Sequence, residues 1–450
     1  MLRKFTTNLV VLLACCVLLV SCAPDRTEYY DGKKVIEYWE KWGGFEADAM
    51  RVIVDEYNES QDKYYVQYVA DAGSQIDRKL MISIAGGNPP DISGFWDDRL
   101  ISYVQNGALT PLDGLMEKDG IEHDRYLPNI IEACQYEGYT WGLPSTPATL
   151  ALFYNKKMFR EAGLDPDKPP RTIAELTEYS HQITKKNEEG SLLQVGFHPD
   201  IPHWWNSRWN VWFGGEVWNE DGEITIDSDA NVACYEWLRS MYEEYGIIEM
   251  DRLRAASDNF DSPQWPFFSE RVAMVIQGVW TPNFIDRHAP DLEWGAAPVP
   301  TYTEELYGTT LVSNDILVIP RGCPNLEGAW DFLKYVQKQE NIEKLNLLQK
   351  KFSPLREVND SFYEEHTNKE IKLFRQLAES PNALIAPKFA SFWELQAELN
   401  DVFYQVKKGE REPREILESI KGDVKKIFDK ASERWQRVVD ERRRIWSEWQ

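Results

Sequence analysis

Cysteine is scarce in this chain, six in 450 residues, and beyond the first 21 only Cys22, Cys134, Cys234 and Cys323 remain. The set is widely spaced and contains no C-x-x-C pair. That excludes a disulfide framework and the usual paired-cysteine zinc sites. Histidine is equally sparse, and only His198 and His203 are close, with Asp200 between them. Two unrelated histidines in one loop is the simpler reading of that pair. The G-x-x-x-x-G-K-[ST] phosphate loop, the G-x-S-x-G elbow and H-E-x-x-H are all missing. Positive charge is short as well: 50 Lys and Arg stand against 74 Asp and Glu, a net charge of -24. Phosphate backbones are bound by clustered cations, so nucleic acid is excluded as a partner. An anionic membrane surface is a poor match for the folded body. There is no internal repeat and no low-complexity tract.

Aromatic residues, by contrast, are plentiful. They make up 13% of the chain, with 18 tryptophans, and hydrophobic residues make up 43%. This is ample for two or three domains with large cores. Flat amphipathic rings on an acidic protein also suit stacking on a neutral, hydroxyl-rich ligand. The N-terminus carries Arg3 and Lys4, then an apolar run from Leu9 to Val20, and no acid before Asp25. The run is shorter than the ~20 residues of a membrane span and fits a secretory signal. It ends Leu19-Val20-Ser21-Cys22, which resembles the bacterial lipobox, so residues 1–21 read as a lipoprotein signal peptide and Cys22 as the lipidated residue. Removing residues 1–21 takes away two cations and no acid, and shifts the net charge from -24 to -26.

Residues 22–34 are polar and read as a tether. Strands are expected at Val35–Trp39, Tyr64–Val69 and near Asp91-Ile92. Helices are expected at Glu46–Tyr57, Ile76–Ala85 and Arg99–Gln105, the last two closed by glycines. Alternating strands and helices mean an α/β domain with a largely parallel sheet. Further along, Ala151–Tyr154, Val272–Ile276 and Asp315–Ile319 read as strands. Thr172 with Glu175 reads as a capping box opening a helix. Gly328–Leu348 reads as one long amphipathic helix, and the stretch from Pro413 onward as helical and highly charged.

The run Leu152-Phe153-Tyr154-Asn155-Lys156-Lys157-Met158-Phe159, followed by Glu161-Ala162-Gly163-Leu164-Asp165-Pro166, is similar to a segment of family 1 extracellular solute-binding proteins of sugar ABC importers. Further matches, in family order, are Ala85–Ile92, Gly107–Asp113, Trp141–Pro144, Phe268–Met274, Gly278-Val279-Trp280 and Ala329–Leu333. Each is weak alone; their order from about residue 35 to residue 355 is specific. The last ~95 residues match only in being helical, and Arg442-Arg443-Arg444 departs from the family pattern.

The resemblance implies a periplasmic-binding-protein-like α/β fold. It has two discontinuous lobes, 35–147 plus 314–352 and 148–308 plus 353–450, with a hinge and a central cleft. Chain crossings are expected near Ser145–Ala151, Gly308–Ser313 and Phe352–Pro354. It implies a lipid-anchored, monomeric, extracytoplasmic receptor on the cell membrane that closes on a sugar and passes it to ABC permease subunits. No cofactor, metal or catalytic residue is called for. A secreted polysaccharide-acting enzyme and a receptor for a non-sugar solute stay open as alternatives. The resemblance to maltose-binding proteins places ligand contacts at Trp96, Asp98 and Arg99 after the third strand, and at Trp280, Trp42, Asn314, Trp393 and Glu394. Trp204 and Trp205 are candidates for the cleft lining. Trp205, Trp209 and Trp212 share helical spacing, and at least two of them are expected in the core. The amphipathic stretch Ile427–Trp446 is expected either to pack on the second lobe or to contact membrane or permease.

Overall fold

The computed structural model describes residues 28–70, 75–219 and 221–447. Cys22 and the apolar run before it lie outside the described residues. Among the described residues eleven strands join in one sheet whose two halves belong to two separate hydrophobic cores, and Gln135-Tyr136 pairs with Tyr139-Thr140 in a small hairpin of its own. One core gathers Ile36 to Leu143 with Ile316 to Leu355. The other gathers Ala148 to Val312 with Phe352 to Val424.

The first half-sheet starts from Lys33–Glu40, where Ile36, Tyr38 and Glu40 alternate inward. Tyr64–Ala70 and Ile92–Trp96 pair with it in parallel. The expected tether is partly structured. Tyr29-Tyr30 folds back on Lys33-Lys34, and Asp31-Gly32 forms the turn with φ of 49° and 79°. Two consecutive positive φ values are what a tight hairpin turn needs, and Asp-Gly supplies them readily.

The strand Leu143–Asn155 ties the halves together. All thirteen residues are buried, so burial is continuous along it rather than alternating, and the polar members Ser145, Thr146 and Thr149 are hydrogen-bonded within the protein. Through Leu143–Thr149 it pairs antiparallel with Thr310–Val318. From Leu150 onward it pairs with Val272–Gly278 and Trp294–Ala297. The partner change at Thr149/Leu150 falls within the expected first crossing. Thr310 Oγ1 stitches it, donating to the Leu150 carbonyl at 2.9 Å and accepting from its N–H at 3.0 Å.

Two expectations about helices are corrected. The stretch read as one helix over 328–348 is two, Leu326–Val336 and Gln339–Leu348. Gln337 breaks it: its side chain donates to the Pro144 carbonyl and accepts from the Tyr126 hydroxyl, pinning this point to the crossing strand. The helix Pro413–Ser447 does not stay on the second lobe. Ile416, Leu417, Ile420 and Val424 belong to that core, whereas Trp435, Val439 and Trp446 belong to the first. The capping box at Thr172 is present, with Thr172 Oγ1 accepting from Glu175 N at 3.1 Å and the Glu175 carboxylate accepting from Thr172 N.

Candidate functional site

A cleft of about 710 Å³ lies between the two cores and is lined from both. Its first-lobe wall comes from two strand ends. Lys41 and Trp42 follow Lys33–Glu40, and a single 3-10 turn, Asp97–Arg99, follows Ile92–Trp96. Ligands of α/β sheets collect at the carboxyl ends of strands, and this is such an edge. Gly94 fits here because a Cβ would lie 2.0 Å from Glu40 Oε2.

The second-lobe wall is aromatic. Trp280 follows the strand Val272–Gly278 and folds back over Gly278, where a Cβ would meet the indole at 2.3 Å. Trp204 tilts against Trp280 at 6.5 Å and meets Phe260 edge-on at 5.5 Å. Trp205 donates its Nε1–H to the Ile276 carbonyl. Trp209 and Trp212 pack on each other at 5.2 Å in the core, so the tryptophan stripe splits, with Trp205 alone of the three at the cleft.

The floor is a chain of charges. Asp315 receives Lys41 on Oδ1 and Lys351 on Oδ2, each at 2.9 Å. Lys41 also faces Glu40 at 3.3 Å, and Lys351 faces Glu46 at 3.0 Å. Burial alone raises the Asp315 carboxyl, but Lys351 and Lys41 outweigh it and hold the group well below the usual range. Trp42, 4% exposed, lies under both ammonium groups, 4.6 Å from Lys41 and 5.6 Å from Lys351.

The opposite end is differently charged. Burial pushes the Asp98 carboxyl up to about 6, with Arg99 pulling it back and Asp77 adding to the rise. Its Oδ1 is buried without a hydrogen bond. Arg99 pairs with Asp77 at 3.2 Å and lies over the Trp393 ring at 3.7 Å. Arg208, from the second lobe, is lowered to about 10 by burial, with Asp98 as its opposing charge. It rests over Phe392 at 5.5 Å, and among the described residues no hydrogen bond or ion pair engages its guanidinium; only its backbone N–H is used, on the Trp205 carbonyl. The lobes touch through Arg99–Trp393 and through Phe45–Phe284, at 5.3 Å.

Eight of the ten residues singled out in the sequence come together here: Trp42, Trp96, Asp98, Arg99, Trp204, Trp205, Trp280 and Trp393. Asn314 does not. Strand side chains alternate, so Ser313 and Asp315 face the cleft while Asn314 points to the Ile130 carbonyl and Cys134. Glu394 is exposed, because Trp393, Gln396 and Asn400 take the cleft face of their helix. Lys41, Arg208, Asp315 and Lys351 escaped the sequence reading. Lys41 is signalled only by its neighbour Trp42; the others carry no local signature. His198 is buried, lowered to about 4 by desolvation, and spent on the Met250 carbonyl and the Asp200 N–H.

The pattern of bacterial extracellular solute-binding proteins matches residues 45–343. The chain belongs to that family. A Brucella abortus relative named only as a binding protein is 24% identical over 356 residues, 78% of this chain and 83% of that one. The arabinooligosaccharide-binding protein of Bacillus subtilis is 22% identical over 375 residues, 79% of this chain and 81% of that one. Among solved structures, CpMnBP1 with mannobiose bound superposes with a TM-score of 0.74 at 24% identity, covering 87% of this chain and 99% of that one. The two-lobed architecture of this solute-binding protein is thus shared, and the cleft occupies the place between its lobes. Among the described residues no helix is long and apolar enough to cross a membrane.

Proposed function

We propose that this solute-binding protein is the lipid-anchored, extracytoplasmic receptor of an ABC importer and that its cargo is an oligosaccharide. One observation carries the reading. Asp98 and Arg208 stand on opposite walls, both largely desolvated and neither side chain hydrogen-bonded within the protein, with Arg99 3.7 Å from Asp98 and six indoles in the same cleft. A sugar meets that demand: ring C–H faces stack on indoles, and hydroxyls donate to Asp98 while accepting from Arg208. Pockets that combine aromatic walls with a few placed polar groups have this logic. Contacts made to both lobes at once favour the closed state, since a ligand shifts such a balance by its differential affinity for the two states. Relatives named for arabinooligosaccharide and mannobiose support the sugar class. The charged floor is already neutralised within the protein and serves as scaffold. No covalent step is part of the function.

Cys22 would carry the lipid and hold the monomeric receptor beside its permease. Replacing Cys22 by Ala should move the protein from the detergent phase to the aqueous phase of a detergent partition. The function itself is tested by titration calorimetry of the tether-free chain with mannobiose, arabinotriose and maltotriose, with product analysis of each mixture. One-to-one binding of unaltered sugar supports the receptor. Recovery of cleaved sugar would turn the reading toward a polysaccharide-acting enzyme. Silence across the panel, with binding of a peptide or polyamine instead, would move it to a non-sugar solute.

A further inference from the structure

We propose that the C-terminal helix is a strap between the lobes that restrains opening of the cleft. The helix runs unbroken over Pro413–Ser447. Its first half is docked on the second lobe by buried apolar residues, and Lys421 pairs there with Asp227 at 2.8 Å. Its last turns are docked on the first lobe. Trp446 meets Trp141 edge-on at 4.7 Å. Trp435 donates its Nε1–H to Glu137 at 2.9 Å, and Arg443 pairs with the same carboxylate. Arg434 donates to the Asn106 side chain at 2.9 Å. The helix therefore adds a connection between the lobes beyond the strand crossings, and it contributes no residue to the cleft lining.

The hand-over between lobes falls between Phe428 and Trp435. That stretch contains neither glycine nor proline, and sharp helix bends need one of these, a π-bulge or an inserted group. A rod of this length spans about 50 Å. Rotation that separates its docked ends must bend it or peel the distal turns from the first lobe. The arrangement described keeps every one of these contacts; one with the lobes further apart gives some of them up. The strap is also coupled to the cleft wall: Phe428 stacks on Phe389 at 5.6 Å with the rings 20° apart. Phe389 lies just ahead of Phe392 and Trp393, which line the cleft.

The test needs no ligand, so its outcome is independent of the cargo. Spin labels at Glu117→Cys and Glu188→Cys, exposed sites on the two lobes, report the inter-lobe distance by pulsed dipolar spectroscopy in the tether-free chain with Cys323→Ser. Two variants probe the strap. Ser432→Gly with Glu433→Gly inserts a joint at exposed positions and keeps both docked ends. Glu137→Ala removes the acceptor shared by Trp435 and Arg443 and so weakens the distal anchor. A strap that restrains opening predicts a longer mean distance in both variants and a several-fold larger open fraction than in the parent. Unchanged distributions in both would overturn the proposal, and so would a shift to shorter distances, which would make the helix a prop that holds the cleft open.

Discussion

Asp315→Asn tests the charged floor of the cleft. The substitution keeps the shape of the side chain and deletes the charge that two buried lysines share. Lys41 and Lys351 are 0% and 2% exposed at their side chains. Each of their 2.9 Å contacts with Asp315 is worth about 6 kcal/mol in gross Coulomb terms at an effective dielectric of ~20. Desolvation offsets most of that, and breaking a buried pair costs about 3–5 kcal/mol net. The lysines fall back on Glu40 at 3.3 Å and Glu46 at 3.0 Å, so the low end of that range is expected. Urea unfolding followed by tryptophan fluorescence reads the loss. The pH dependence supplies the sign. The folded carboxyl is held below its unfolded value of about 3.9, so its contribution is complete above that pH and is shed as pH falls through the folded value. The gap between parent and variant should be constant from neutral pH down to about 5 and shrink below about 4. A loss under about 1 kcal/mol, the scale of an exposed pair, would refute the buried-floor argument. So would a gap that persists unchanged into acid.

Trp96→Ala and Trp280→Ala should each weaken sugar binding by about 2 kcal/mol, or ~30-fold in Kd, as loss of an aromatic anchor does. Asn314→Ala and Glu394→Ala should leave calorimetric affinity near the parent value, and equal losses at all four positions would contradict the placement of the cleft. Asp98 protonates near 6 in the folded chain and near about 3.9 unfolded, so acidification between these values stabilises the fold while removing the anionic acceptor. Sugar affinity should therefore fall below pH 6, and Asp98→Asn should flatten the profile; a parent profile already flat from pH 8 to 5 would show that the ionised carboxylate is not used. Gly94→Ala sets a Cβ against the fully buried Glu40 carboxylate and should cost about 1–3 kcal/mol by overpacking. A thermal midpoint equal to that of the parent would show that Glu40 has room to move.

Much of the architecture was legible in local pattern. The capping box at Thr172, the alternation of Lys33–Glu40 and the glycine-closed helix Gln75–Ala85 are short-range signals, and short-range physics decides them. Asp31-Gly32 was an equally local hairpin signal that the tether reading passed over. Gly-x-Trp at 278–280 was legible through the family resemblance, and the structure shows that the missing Cβ is what lets the indole fold back. Asn314 was misplaced by one step of strand alternation, which the register with Leu143–Asn155 decides. The helix break at Gln337 came from a partner almost two hundred residues away, the Pro144 carbonyl, which no local window contains.

The amino-acid sequence by itself determined an α/β fold, the order of its elements and a wealth of aromatic side chains, which follow from composition and periodicity, properties of neighbouring residues. The two-lobed arrangement and most of the cleft indoles were legible only through the resemblance to the solute-binding family. Only the tertiary structure decided that Asp315 sits between Lys41 and Lys351, that Arg208 faces Asp98 across the cleft, and that the last helix leaves one lobe to dock on the other. Charge pairing and desolvation depend on which distant segments the fold brings within a few ångströms, and that information exists only once the chain has closed on itself.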